Sequence, residues 1–98
     1  MSFVAVFLYE VEPASAEAFE AVYGSDGEWA RFFAAGDGYE GTELWRGDER
    51  RYLVIDRWRS AAAYEEFLRA NADEYRRRSD AAAQLHVSEQ ALGRYEPT

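Results

Sequence analysis

Residues 51–67, RYLVIDRWRSAAAYEEF, begin with the two-residue alternation of a strand and end with the spacing of a helix, with Ser60 at the changeover. In a strand, Tyr52, Val54, Asp56 and Trp58 point to one side, and Leu53, Ile55 and Arg57 to the other. Both sides carry apolar bulk, so both faces need a cover. The N-terminal run repeats the pattern. Phe3, Ala5, Phe7, Tyr9 and Val11 form one face and Val4, Val6 and Leu8 the other, before Pro13 stops the ladder. A chain of 98 residues has helix enough to cover one face of such a sheet, and little left for the second.

The other elements follow from caps and periodicity. The first strand spans residues 3–12. Ser15 reads as the N-cap of a helix carrying Phe19, Val22 and Tyr23, with Gly24 at its C′ position. Ser25 and Glu28 have the spacing of a capping box, and Trp29, Phe32 and Phe33 give the restarted helix an aromatic stripe. Residues 39–46 read as a second strand, with Gly41 marking a bulge or a close backbone approach. Gly47-Asp48 is a turn signal that makes a hairpin with the strand at 51–58. Ser60 caps a third helix with Tyr64, Phe67, Leu68, Asn71 and Tyr75 along one side; Asn71 is a natural break, and the helix restarts at Asp73 and runs to about Leu85. Residues 91–96 read as a fourth strand.

The order β, α(α), β, β, α(α), β predicts an α+β, ferredoxin-like domain over residues 1–98. It has one four-stranded antiparallel sheet with helices on one side. The uncovered apolar face then predicts a homodimer through the sheet face, two sheets closing into a barrel.

Composition removes several function classes. The chain has no cysteine and one histidine, His86, so disulfides and thiolate metal sites are excluded and no metal is expected. Net charge is −8, from 11 basic residues, all arginine, against 19 acidic ones, which argues against nucleic acid and anionic membranes as partners. The cluster Arg76-Arg77-Arg78 is too short to reverse that balance. No apolar run reaches the ~18 residues of a membrane span, and the N-terminal stretch has the alternation of a strand and no basic signal region, so a cytoplasmic protein is expected.

Phe19 with Tyr23, Trp29, Gly38-Tyr39-x-Gly41, RYLVIDRWRS with Tyr64 and Phe67, Tyr75, and Leu92-Gly93-x-Tyr95 together resemble the antibiotic biosynthesis monooxygenase domain family over nearly the whole chain. The resemblance implies a dimeric α+β barrel with a pocket between sheet and helices in each subunit. It also implies activities that include cofactor-free oxidation of aromatic polyketides by O₂, haem degradation and quinol oxidation. In the haem-degrading branch the catalytic asparagine, the catalytic tryptophan and the haem-ligating histidine fall on Phe7, Phe67 and Arg77 here. None of the three supplies the required function, so haem turnover is not expected. The polyketide-oxidising branch uses an asparagine, a tryptophan, a tyrosine and an arginine. Asn71, Trp58 and Tyr64 are the residues of this chain that match those types, and they are the catalytic candidates.

Each candidate has a plainer structural reading. Trp58 is either a pocket wall that stacks on a flat ligand or a core ring closing the barrel end. Asn71 either orients a ligand carbonyl or phenol, or caps the restarted helix. His86 is either a base near neutral pH or a partner for the helix end. Asp56, in mid-strand, is either paired with an arginine of a second subunit or a catalytic base. Phe7, Tyr9, Trp29, Phe33, Phe67, Tyr75 and His86 are the candidate lining of a pocket for a small apolar or aromatic ligand. The resulting expectation is a monooxygenase that needs no cofactor and acts on a small aromatic or quinol; the alternative is a non-catalytic binding or structural dimer of the same fold.

Overall fold

A computed structural model describes residues 2–98. Strand β1 (Phe3–Glu10) is followed by α1 (Ala16–Tyr23), α2 (Glu28–Phe33), β2 (Tyr39–Arg46), β3 (Arg51–Trp58), α3 (Ala61–Ala70), α4 (Ala72–Ala82) and β4 (Ser88–Tyr95). The sheet order is β2-β3-β1-β4 with every neighbour antiparallel, the split arrangement that the element order predicts.

Alternation sorts the side chains as the strand pattern requires. Phe3, Ala5, Tyr9, Tyr52, Val54, Asp56 and Trp58 share the inner face beneath the helices, each at most 5% exposed. The ring of Trp58 lies 5.3–5.7 Å from those of Tyr39, Phe67, Phe33 and Tyr64, and this aromatic cluster holds α2 and α3 to the sheet. Gly36 permits that approach: a Cβ there would lie 2.6 Å from Phe67 Cδ1 and 2.9 Å from Trp58 Cη2. On the outer face Val4, Val6, Leu8, Leu53 and Ile55 are only half-buried, while Trp45 is 59% and Tyr95 54% exposed. Among the described residues no helix is long and apolar enough to cross a membrane.

Several local expectations need correction. Ser15 ends a 3₁₀ turn, Pro13–Ser15, and its side chain makes no capping bond, because Pro13 already starts the chain turning ahead of it. Ser25 does not cap α2; Gly27 does, without a side-chain bond, because the Gly27 N–H closes a turn onto the Gly24 carbonyl at 2.9 Å. Gly24 is accordingly extended (φ −71°, ψ 172°) rather than left-handed. Ser60 does cap α3, its Oγ accepting from the Ala63 N–H at 3.1 Å. Asn71 does break the helix, yet its amide closes α3 by donating to the Phe67 carbonyl at 2.9 Å and does not cap α4. Strand β1 ends at Glu10, two residues early. Strand β4 starts at Ser88, three early, because the polar run Ser88-Glu89-Gln90 pairs with residues 10 to 8 of β1.

Candidate functional site

Between the inner sheet face and the helices lies a cavity of about 60 Å³. That volume suits roughly four waters, and a ring, which needs on the order of 150 Å³, enters only by displacing wall side chains. Its floor is β-sheet: Phe7 and Tyr9 from β1, Thr42 from β2, Val54 and Asp56 from β3 and Glu89 from β4. Its roof is helical: Tyr23 from α1, Trp29 and Phe33 from α2, Tyr64 from α3, and Tyr75 and Ser79 from α4, with Ala83 and His86 following.

Asp56 is the chemical centre of this space. It is 5% exposed and accepts one hydrogen bond at Oδ1, from the Thr42 hydroxyl at 2.7 Å. Thr42 Oγ1 also lies 2.5 Å from the Tyr39 hydroxyl. Burial pushes the Asp56 carboxyl up from 3.8 to about 6, and the Thr42 bond works in the opposite direction. The expected arginine partner across a dimer is therefore a correction. Asp56 shares the inner face with Tyr52, Val54 and Trp58, and its partner is a threonine of its own chain.

The phenols around it stay protonated. Burial, reinforced by Tyr23 and Glu89, holds Tyr9 far above the usual tyrosine range, and its hydroxyl donates to Glu89 Oε2 at 2.9 Å. Burial pushes Tyr23 up to about 12 and raises Tyr64 and Tyr75 as well. His86 packs its ring 4.9 Å from that of Tyr9, and burial lowers its pKa, so it is neutral at pH 7. Among the described residues no arginine lines the cavity, and no group of three or more histidine or acidic side chains is arranged to hold a metal ion. The site thus offers one carboxylate able to exchange a proton near neutrality, a ring of neutral hydroxyls, and aromatic walls.

The candidates divide. Tyr64, Phe7, Tyr9, Trp29, Phe33, Tyr75 and His86 border the cavity. Trp58, Asn71 and Phe67 do not. Trp58 is fully buried among rings, with its indole N–H unpaired. Phe67 is wedged between Phe32, Phe33 and Trp58. Asn71 lies in an outer groove beyond α3 with its amide spent on the Phe67 carbonyl. Phe67 points toward the core, but the space it reaches is filled by Trp58 and Phe33. Thr42 and Glu89 are lining residues that pattern reasoning missed. The signal for Thr42 is Gly41, which shifts the strand's alternation, and Glu89 lies in the polar start of β4, ahead of the apolar residues that mark the strand.

The family model described as antibiotic biosynthesis monooxygenase matches residues 2–78. No curated protein matches the sequence. Among solved structures, a single-site mutant of SnoaB, a cofactor-independent oxygenase from Streptomyces nogalater, superposes with a TM-score of 0.78 at 23% identity, covering 98% of this chain and 92% of that one. A candidate antibiotic biosynthesis monooxygenase from Bordetella bronchiseptica gives 0.73 at 18% identity, over 99% of this chain and 97% of that one. A conserved protein from Methanosarcina mazei gives 0.72 at 10% identity, over 100% and 94%. These likenesses establish the fold.

Proposed function

The chain belongs to the antibiotic biosynthesis monooxygenase family, and from that premise we propose that it is an oxygenase needing no cofactor and acting on a small phenol or hydroquinone. The observation that carries this reading is Asp56, a carboxylate with one oxygen unbonded, in an aromatic-walled cavity. A ring hydroxyl entering the cavity gives its proton to Asp56. The electron-rich anion passes one electron to O₂, and the resulting pair combine at the ring carbon beside the oxygen, forming a C–O bond. Asp56 returns its proton to the peroxide. Loss of the hydrogen on that carbon with cleavage of the O–O bond releases water and leaves a quinone. Overall, one phenol and one O₂ give one quinone and one water. The Tyr9, Tyr23, Tyr64 and Tyr75 hydroxyls orient the ring oxygens, and the aromatic walls exclude bulk water. With no arginine among the described lining residues, the cavity selects against carboxylated rings, which would face Asp56 and Glu89 with like charge.

A positioned base of this kind contributes about 10²–10⁴-fold to rate. Oxygen uptake with monocyclic hydroquinones should therefore fall at least 100-fold in Asp56→Asn. Uptake by the wild-type protein that is unchanged in this variant rules out Asp56 as the base. Binding of the same rings without uptake supports the second reading, a ligand-binding module.

The outer sheet face supports a homodimer as part of this proposal. Its half-buried aliphatic residues and exposed Trp45 and Tyr95 are the surface that a second copy would cover, with the Arg57–Glu43 pair (2.6 Å) set among them. A monomer in sedimentation at micromolar concentration removes that part.

A further inference from the structure

We propose that Thr42 and Tyr39 are positioning residues for Asp56, brought to one face by the Gly41 bulge so that one carboxylate oxygen is pinned and the other is left free for the substrate. The proposal rests on the reading of Asp56 as the cavity base.

The bulge is what makes the arrangement. Tyr39 pairs with Trp58, Gly41 with Arg57 and Thr42 with Asp56, so Glu40 is an extra residue with no partner on β3. In a regular strand, Tyr39 and Thr42, three apart, would point to opposite faces. The inserted residue puts both beneath the helices. Gly41 has φ +129°, and nothing lies within 4 Å of where its Cβ would be, so conformation and not space calls for glycine there.

The hydrogen-bond chain then has one direction. Thr42 has a single hydroxyl proton, and it donates to Asp56 Oδ1 at 2.7 Å. Its oxygen therefore accepts from the Tyr39 hydroxyl at 2.5 Å. Both bonds favour the ionised carboxylate, and the Tyr39 donor polarises the Thr42 hydroxyl toward Asp56. The other titratable groups on the cavity wall are Tyr9, Tyr23, Tyr64, Tyr75, His86 and Glu89. Among the described residues, none of them bonds Asp56. Thr42 alone holds the carboxylate in one orientation, and a valine of the same shape would leave it without that bond.

The test is a carbon-13 NMR titration of aspartate carboxyl carbons, with the Asp56 signal identified by its loss in Asp56→Asn. Thr42→Val should raise the Asp56 midpoint by about one pH unit or more, since a hydrogen bond to a charged group is worth roughly that much. Thr42→Ser should restore it to within about 0.3 units, and Tyr39→Phe should raise it by a smaller amount. A Thr42→Val midpoint equal to wild type, or a serine that fails to restore it, overturns the proposal. If Thr42→Val does not fold, Tyr39→Phe decides, and an unmoved midpoint there overturns it. The titration needs no substrate, so a failure of oxygen uptake counts against the oxygenase reading and leaves this result standing.

Discussion

The two faces of the sheet are built from the same four strands and end in opposite conditions. The inner face is sealed by the chain's own helices and has Asp56, Thr42 and four tyrosines in or against its apolar wall. The outer face has aliphatic side chains in the same register and the Arg57–Glu43 ion pair, and none of the described helices lies over it. The difference teaches where specificity resides. The closed face supports polar groups at chosen positions because its geometry is fixed from both sides. The open face carries surface that asks only for a complementary surface.

Four substitutions sharpen that contrast. Trp58→Ala, at the centre of the sealed side, should cost about 3–5 kcal/mol in denaturant unfolding; a loss below about 1 kcal/mol would mean that the inner face is not one packed unit. Asp56→Asn should raise stability at pH 8. The folded carboxyl, raised to about 6 from 3.8, binds its proton more tightly than the unfolded one. Stability is thus greatest below pH 4 as far as this group is concerned, and falls as pH climbs through 6, by up to about 3 kcal/mol. The amide removes that loss, so wild type and variant should differ at pH 8 and converge near pH 4 in thermal melts. Ser60→Ala deletes the cap of α3 and should cost about 1 kcal/mol. Ile55→Arg, on the open side opposite Glu43, should change the stability of a single chain by no more than about 0.5 kcal/mol while converting a dimer to monomers in sedimentation.

Much of the fold was legible in the sequence because it rests on period and caps. The alternation of residues 3–10 and 51–58, the Ser60 cap and the Asn71 break are local signals that the tertiary structure respects. The site was legible only in part. Seven aromatic and histidine candidates border the cavity, since large inward rings have few other places to go. Trp58, Phe67 and Asn71 lie off the cavity because alternation in a strand and a stripe on a helix say which way a side chain points and not which layer it reaches. The face of Asp56 follows from alternation, but its partner does not: a mid-strand carboxylate suggests an arginine, whereas a threonine hydroxyl suffices. The Tyr39–Thr42 pair depended on a strand irregularity whose effect on facing only register reveals.

At the β2–β3 hairpin, Glu49 and Arg50 hold φ of 56° and 64°, a left-handed pair that asparagine and glycine occupy with less strain. Arg50 also reaches Glu10 and Glu12, and its carbonyl receives the Val11 N–H at 2.9 Å, so the strained corner doubles as a clasp on the exit of β1. For anyone seeking heat tolerance, this corner is a two-sided target. Relaxing the backbone there loosens the clasp, and a gain in melting temperature would mean that conformational relief outweighs the lost ionic tether.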